Sequence, residues 1–138
     1  MYSTQDYGTL LLRVTLGVMF LAHGLLKVLV YTVPGTVQFF ETQGFPGALA
    51  YAVIAAELVG GTLLILGVYT RWVALALVPI LLGAFNVHWP NGWVFSTPNG
   101  GWEYPAFLTI TTLVQSLLGG GAFAVKDSVT QSKIRKSS

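Results

Sequence analysis

Residues 47–69 read GALAYAVIAAELVGGTLLILGVY, and Glu57 at the centre is the one charge in the segment. At about 1.5 Å per residue the segment is long enough to cross a hydrocarbon core of about 30 Å. A carboxylate at that depth costs roughly 2.5–3.5 kcal/mol on insertion scales. Such a group persists where something pairs with it, hydrates it or uses it. What answers Glu57 is therefore the first question this chain poses.

Composition places the rest of the chain in the same solvent. The 138 residues are 54% hydrophobic and 9% charged, against about 25% charged in soluble domains, and the mean hydropathy is +0.68. A soluble domain of this size has too little interior to hide so much apolar surface, so most of it faces lipid. The net charge of +2 gathers at the C-terminus and forms no nucleic-acid stripe. Without cysteine, disulfides, thiol catalysis and thiolate-bound metals are excluded.

Four apolar segments, about 9–31, 47–69, 71–89 and 104–125, each have the length of a crossing. Backbone groups in lipid must be satisfied internally, and the pattern has no period-2 alternation, so each segment is predicted to be a helix. The fold class is all-α and integral to the membrane, a four-transmembrane-helix bundle in a single domain over 1–138. Pro34-Gly35 is predicted to end the first helix, and Gly44-Phe45-Pro46-Gly47 to open the second. The short link at Tyr69-Thr70-Arg71 makes the second and third helices an antiparallel hairpin. Turn residues from Pro90-Asn91-Gly92 to Asn99-Gly100-Gly101 separate the third and fourth.

Arg13, Arg71, Lys126, Lys133, Arg135 and Lys136 fall toward one side, and Lys27 alone toward the other. The positive-inside rule then places both termini and the short basic tail 126–138 of this multi-pass protein in the cytoplasm. The first span has no basic n-region and no A-x-A-like exit, so it reads as an uncleaved anchor.

On a helical wheel His23 and Lys27 share a face, and Arg13 lies within roughly 80° of His23. Gly17 and Gly24 sit on or beside that polar edge, where small residues allow another helix to approach. With the first two helices antiparallel, His23 falls within about one turn of Glu57 in depth, and the stem of Lys27 reaches the same level. The expected partners of Glu57 are thus His23 first and Lys27 second. One reading is an ion pair that locks two helices. The other is a functional polar site, because several ionisable groups converge where one is already expensive.

Toward the outer face lie Asn86 and His88 in the third span, and Glu103 at the N-terminus of the fourth, where a carboxylate is favoured. Gln115 is expected at mid-depth, donating a hydrogen bond into the bundle. Trp89, Trp93, Phe95, Trp102 and Tyr104 in or beside one outer loop, with Phe39, Phe40 and Phe45 in the other, form either an interfacial belt or a lipophilic mouth. A quinone head suits such a mouth. No phosphate loop, serine elbow or haem-attachment motif is present, so neither haem nor nucleotide is expected. His23, His88, Glu57 and Glu103 match no defined metal-ligand spacing, and no metal site is assigned.

The ordered set of motifs resembles the DoxX family of small four-helix membrane proteins from about residue 10 to 127. Its carriers are Arg13 in Leu-Leu-Arg-Val, the run His23-Gly24-Leu25-Leu26-Lys27, and Phe39-Phe40-Glu41 followed by Gly44-Phe45-Pro46. Others are Glu57 with Gly60-Gly61, Gly67 before Thr70-Arg71, His88 with Asn91-Gly92, Gly101-Trp102-Glu103-Tyr104, and the glycine-rich segment before Lys126-Asp127. Namesake relatives are membrane subunits of a thiosulfate:quinone oxidoreductase, and others are linked to oxidative-stress and sulfur metabolism. The resemblance implies a membrane subunit of a quinone-dependent oxidoreductase, with quinone as its cofactor.

On that reading Glu57 and His23 carry proton chemistry, and Lys27, Arg13, His88, Asn86, Glu103 and Gln115 contact the ligand. The alternative is a non-catalytic anchor or assembly partner of a redox complex, in which Glu57 only locks the bundle. The expected partners are the lipid bilayer with a partner subunit or further copies of the chain, and no nucleic acid.

Overall fold

Ser3 starts the first helix. Its hydroxyl accepts from the backbone N–H of Asp6 at 3.1 Å, while the Asp6 carboxylate accepts from the Ser3 N–H at 2.9 Å. This reciprocal capping box satisfies two donors that a helix start leaves orphaned. It begins α1 at Thr4, five residues before the expected 9, and α1 runs to Leu29. A computed structural model describes residues 1–126. Lys133, Arg135 and Lys136, which entered the orientation argument, and the tail beyond Lys126 lie outside the described residues.

α2, Val33–Thr42, occupies what was expected to be a loop. Pro34 stands in its first turn, where the missing N–H is harmless, and the Thr32 hydroxyl accepts from Gly35 N–H at 3.2 Å. The proline predicted to stop one helix therefore starts another. α3 is Leu49–Leu66, closed by Gly67 at φ +78°, whose N–H returns to the Leu63 and Leu64 carbonyls. Only glycine takes that left-handed cap without strain. α4 is Thr70–His88 and passes into a single 3₁₀ turn at Trp89–Asn91.

α5, Glu103–Leu118, ends seven residues short of the expected 125, because Gly119 leaves the helix at φ +85° and ψ −154°. Residues 119–126 then run as a non-helical strap across the end that carries the N-terminus. Ala122 N–H donates to the Asp6 carbonyl at 3.0 Å, Val125 N–H to Leu66 at 3.1 Å, and Tyr69 N–H to Lys126 at 2.9 Å. The strap thereby uses carbonyls and N–H groups that the ends of α3 and α4 leave open.

α1 packs along α3, and α4 along α5. The contact of α1 with α3 is backbone on backbone. A Cβ at Gly61 would stand 2.7 Å from Leu21 N and 2.8 Å from the Gly17 carbonyl. The buried apolar core joins Leu16 and Phe20 of α1 to Leu64 of α3 and to Ala74, Leu77 and Leu81 of α4. Large apolar side chains such as Leu11, Val59, Trp72, Phe107, Ile110 and Leu117 point outward. α1, α3 and the segment Thr70–Asn91 are long and apolar enough to cross a membrane, and the described residues contain helices but no strand. α5, with 16 residues, is shorter than those three.

Candidate functional site

Gly24 sets the geometry that answers Glu57. A Cβ there would lie 2.8 Å from the Leu58 side chain and 3.2 Å from Glu57 Cβ, so the glycine lets α3 approach α1 one turn before Lys27. Lys27 Nζ then donates to Glu57 Oε1 at 3.0 Å and Oε2 at 3.1 Å. The Glu57 side chain is 4% exposed and that of Lys27 20%. Lys27 is thus the partner, and the order expected from sequence is reversed. His23 turns back on its own helix, with Nδ1 at 2.7 Å from the Met19 carbonyl.

The ion pair forms part of the wall of a cavity of about 1480 Å³ at the end of the bundle opposite the N-terminus. Ligand pockets commonly hold about 300–1,000 Å³, so the space admits a ring together with part of an attached chain. Of the residues expected to contact a ligand, the fold brings His23, Lys27, Glu57, His88 and Glu103 to this cavity. Glu103 is exposed at the first residue of α5. His88 Nδ1 lies 2.7 Å from the Ala84 carbonyl, the same arrangement as His23. Asn91, in the 3₁₀ turn, donates to the Gly100 carbonyl at 2.9 Å and pins the rim formed by the loop before α5.

Arg13, Asn86 and Gln115 lie elsewhere. Arg13 is 14 residues from Lys27 on one helix, about 21 Å along its axis. It is 1% exposed and holds the strap: Nε donates to Gly120 O, Nη1 to Leu64 O and Ile65 O, and Nη2 to Ala122 O, all within 2.8–2.9 Å. The planar fork of the guanidinium suits several carbonyls at once, and its charge meets the negative end of the α3 dipole. Gln115 is at the same end, not at mid-depth, where its Nε2 donates to Gly119 O at 2.8 Å. Asn86 is exposed and is not part of the cavity wall.

The aromatic residues divide in the same way. Phe39, Phe40, Phe45, Phe95 and Tyr104 line the cavity. Trp89 and Trp102 instead stack with Phe85, at centroid distances of 5.4 and 5.7 Å, and Trp93 is exposed. Phe39 and Phe40 stand on a helix, α2, and not in the loop expected from the sequence. Thr36, Phe39, Phe40 and Gln43 face the cavity at the spacing i, i+3, i+4, i+7. That periodicity is itself a helix signal, and reading Pro34 as a terminator hid it. Thr36 also donates to the Thr32 carbonyl at 2.9 Å and the Lys27 carbonyl at 3.3 Å, docking α2 beside the ion pair.

The sequence that builds this site is similar to that of known proteins. The DoxX family model matches residues 8–89, from α1 through α4. A Bacillus subtilis (strain 168) protein named "Putative oxidoreductase CatD" is 43% identical over 84 residues, which are 61% of this chain and 61% of CatD. The match thus spans about three fifths of CatD's length. "Inner membrane protein YqjF" of Escherichia coli (strain K12) is 35% identical over 89 residues, 64% of this chain and 67% of that protein. No solved structure matches the chain. The family match covers more than half of the sequence, both helices that carry the ion pair included, and the chain belongs to the DoxX family.

Proposed function

We propose that this chain is a quinone-linked redox subunit of the inner membrane, serving sulfur or oxidative-stress chemistry, and that the cavity takes the quinone head. One observation carries the reading: a buried carboxylate, answered by a single lysine, stands in the wall of a largely apolar cavity that includes several aromatic side chains. A quinone ring fits that donor set. Its apolar body matches the Phe39, Phe40, Phe45 and Leu108 side chains, and a ring oxygen matches the N–H of Lys27 that Glu57 leaves open. Bound there, a quinone supplies two-electron, two-proton acceptor chemistry. Lys27 orients a ring oxygen through an N–H, and Glu57 holds the ammonium in place and offers a proton-exchange site at Oε.

The reading takes α5 as a fourth span, supported by its packing along α4 and by Phe107, Ile110 and Leu117 on its outward face. It takes both termini as cytoplasmic, supported by Arg71 and Lys126 at the end carrying the N-terminus. CatD's name and YqjF's name support the redox and inner-membrane parts. The chain has no cysteine, so single reporters at Gln5 and Ser96 give a clean topology test. An impermeant maleimide added to intact cells is expected to label Ser96→Cys and not Gln5→Cys.

The redox reading is tested by quinone binding to the purified chain in lipid nanodiscs. Saturable binding that Glu57→Gln weakens about tenfold supports it. Absence of binding by the parent chain, or unchanged binding by the variant with a lowered Tm, returns Glu57 to a structural lock in an anchor or assembly partner.

A further inference from the structure

The two histidines of the cavity have the same constraint. Each ring nitrogen Nδ1 lies 2.7 Å from the carbonyl four residues earlier on its own helix, Met19 for His23 and Ala84 for His88. A carbonyl oxygen only accepts, so the proton of each bond sits on Nδ1. In a neutral imidazole the other nitrogen, Nε2, is then a bare acceptor. Among the described residues no group donates to either Nε2, and both rings line the same cavity. Gly100 keeps one of them open: a Cβ there would stand 3.3 Å from His88 Cδ2 and 3.6 Å from Nε2, against the edge that a ligand would approach.

Lys27 spends two of its three N–H donors on Glu57, which leaves one. The wall also carries the Gln43 and Asn99 amides and the Tyr31 hydroxyl, which can donate, so the form of the ring is decided at the two imidazoles, where Nε2 can only accept. A ring carrying only carbonyl oxygens satisfies the lysine and leaves both imidazoles unpaired. A ring carrying hydroxyls gives each imidazole a proton to share and still presents oxygen lone pairs to Lys27. Each of these partly buried acceptors forfeits a hydrogen bond when the ring brings it no donor.

We infer that His23 and His88 present unprotonated Nε2 atoms to the cavity, and that the site therefore selects a ring ligand bearing hydroxyl donors over the same ring bearing only carbonyls. The inference rests on the ring-binding reading above and assigns which form of the ring the resting site holds. It concerns binding alone and invokes no transfer of electrons.

The experiment uses the full chain in lipid nanodiscs, titrated anaerobically with a short-tailed benzohydroquinone, its dimethyl ether and the matching benzoquinone. The hydroquinone is expected to bind on the order of tenfold more tightly than the other two, the worth of one or two hydrogen bonds. His23→Asn and His88→Asn keep an amide N–H for the i−4 carbonyl and delete Nε2. Each is expected to shrink the preference several-fold while benzoquinone affinity stays within about twofold. Equal binding of hydroquinone and benzoquinone by the parent chain overturns the inference and leaves quinone binding standing. A preference that survives in both asparagine variants overturns the role of the imidazoles. Binding of none of the rings by the parent chain removes both readings together. Nitrogen-15 NMR of the imidazoles in the unliganded parent chain needs no variant: protons on Nδ1 support the inference, and protons on Nε2 overturn it.

Discussion

α1 buries two basic side chains against α3, and the two ends treat them differently. At the end carrying the N-terminus, Arg13 is wrapped by four backbone carbonyls from α3 and the strap and is 1% exposed. At the opposite end, Lys27 meets one carboxylate and keeps 20% of its side chain exposed at a large cavity. The guanidinium acts as a fastener, since it satisfies carbonyls that chain ends leave open and that lipid cannot hydrate. The ammonium leaves hydrogen-bonding capacity unspent. A closed polar site stabilises, and an open one is available to a ligand.

Breaking the closed end has the largest expected effect. Arg13→Met removes the donors of four bonds and strands buried carbonyls, each worth about 1–3 kcal/mol. Even with partial relaxation the expected loss is about 3 kcal/mol, read as a fall in detergent Tm of about 10 °C. A Tm within a few degrees of the parent would show that the strap does not depend on Arg13.

Next in size is the seam that joins the two ends. Gly61→Ala puts a methyl against Leu21 N and the Gly17 carbonyl, both backbone atoms that move only if α1 moves. Overpacking of this kind costs about 1–3 kcal/mol. Because the same seam brings Lys27 to Glu57, the variant is expected to weaken ring binding as well as Tm. Loss of Tm with intact binding would separate the seam from the site.

Glu57→Gln probes the open end and is expected to have a smaller effect on stability, about 1–2 kcal/mol, because Lys27 can turn to water in the cavity. Its main consequence is the binding loss described above. A fall in Tm as large as that of Arg13→Met would erase the contrast between the ends. The smallest effect sharpens the comparison from the other side. Gly8 in α1 has nothing within 4 Å of an added Cβ, so Gly8→Ala is expected to raise stability by about 0.5–1 kcal/mol through helix propensity alone. A destabilised Gly8→Ala would reveal a contact on that face.

How much of this was legible varies by residue. Glu57 announced itself, since one charge in an apolar helix is visible without any neighbour. The placing of His23 and Lys27 followed from depth and face, and that of His88 and Glu103 from depth alone. The pairing did not, because it depends on side-chain length and on the competing carbonyl of Met19, which captures the His23 ring. Arg13 and Gln115 were grouped with the site on angle and apolar context alone. The separation of 12 positions between Glu103 and Gln115, about 18 Å of helix, puts Gln115 beyond reach of the cavity mouth. α2 and the early end of α5 were missed at Pro34 and Gly119, breakers whose meaning depends on what the chain does next.

Composition and hydropathy alone determined the solvent of this chain, the helical state of its apolar segments and the presence of a polar site. Those properties are sums over local groups, and lipid enforces them residue by residue. Only the tertiary structure decided which base answers Glu57, which one seals the strap, and that α2 closes a cavity beside the pair. Each depends on how closely two distant segments approach, and that distance is set by glycines whose role exists only once another helix lies against them.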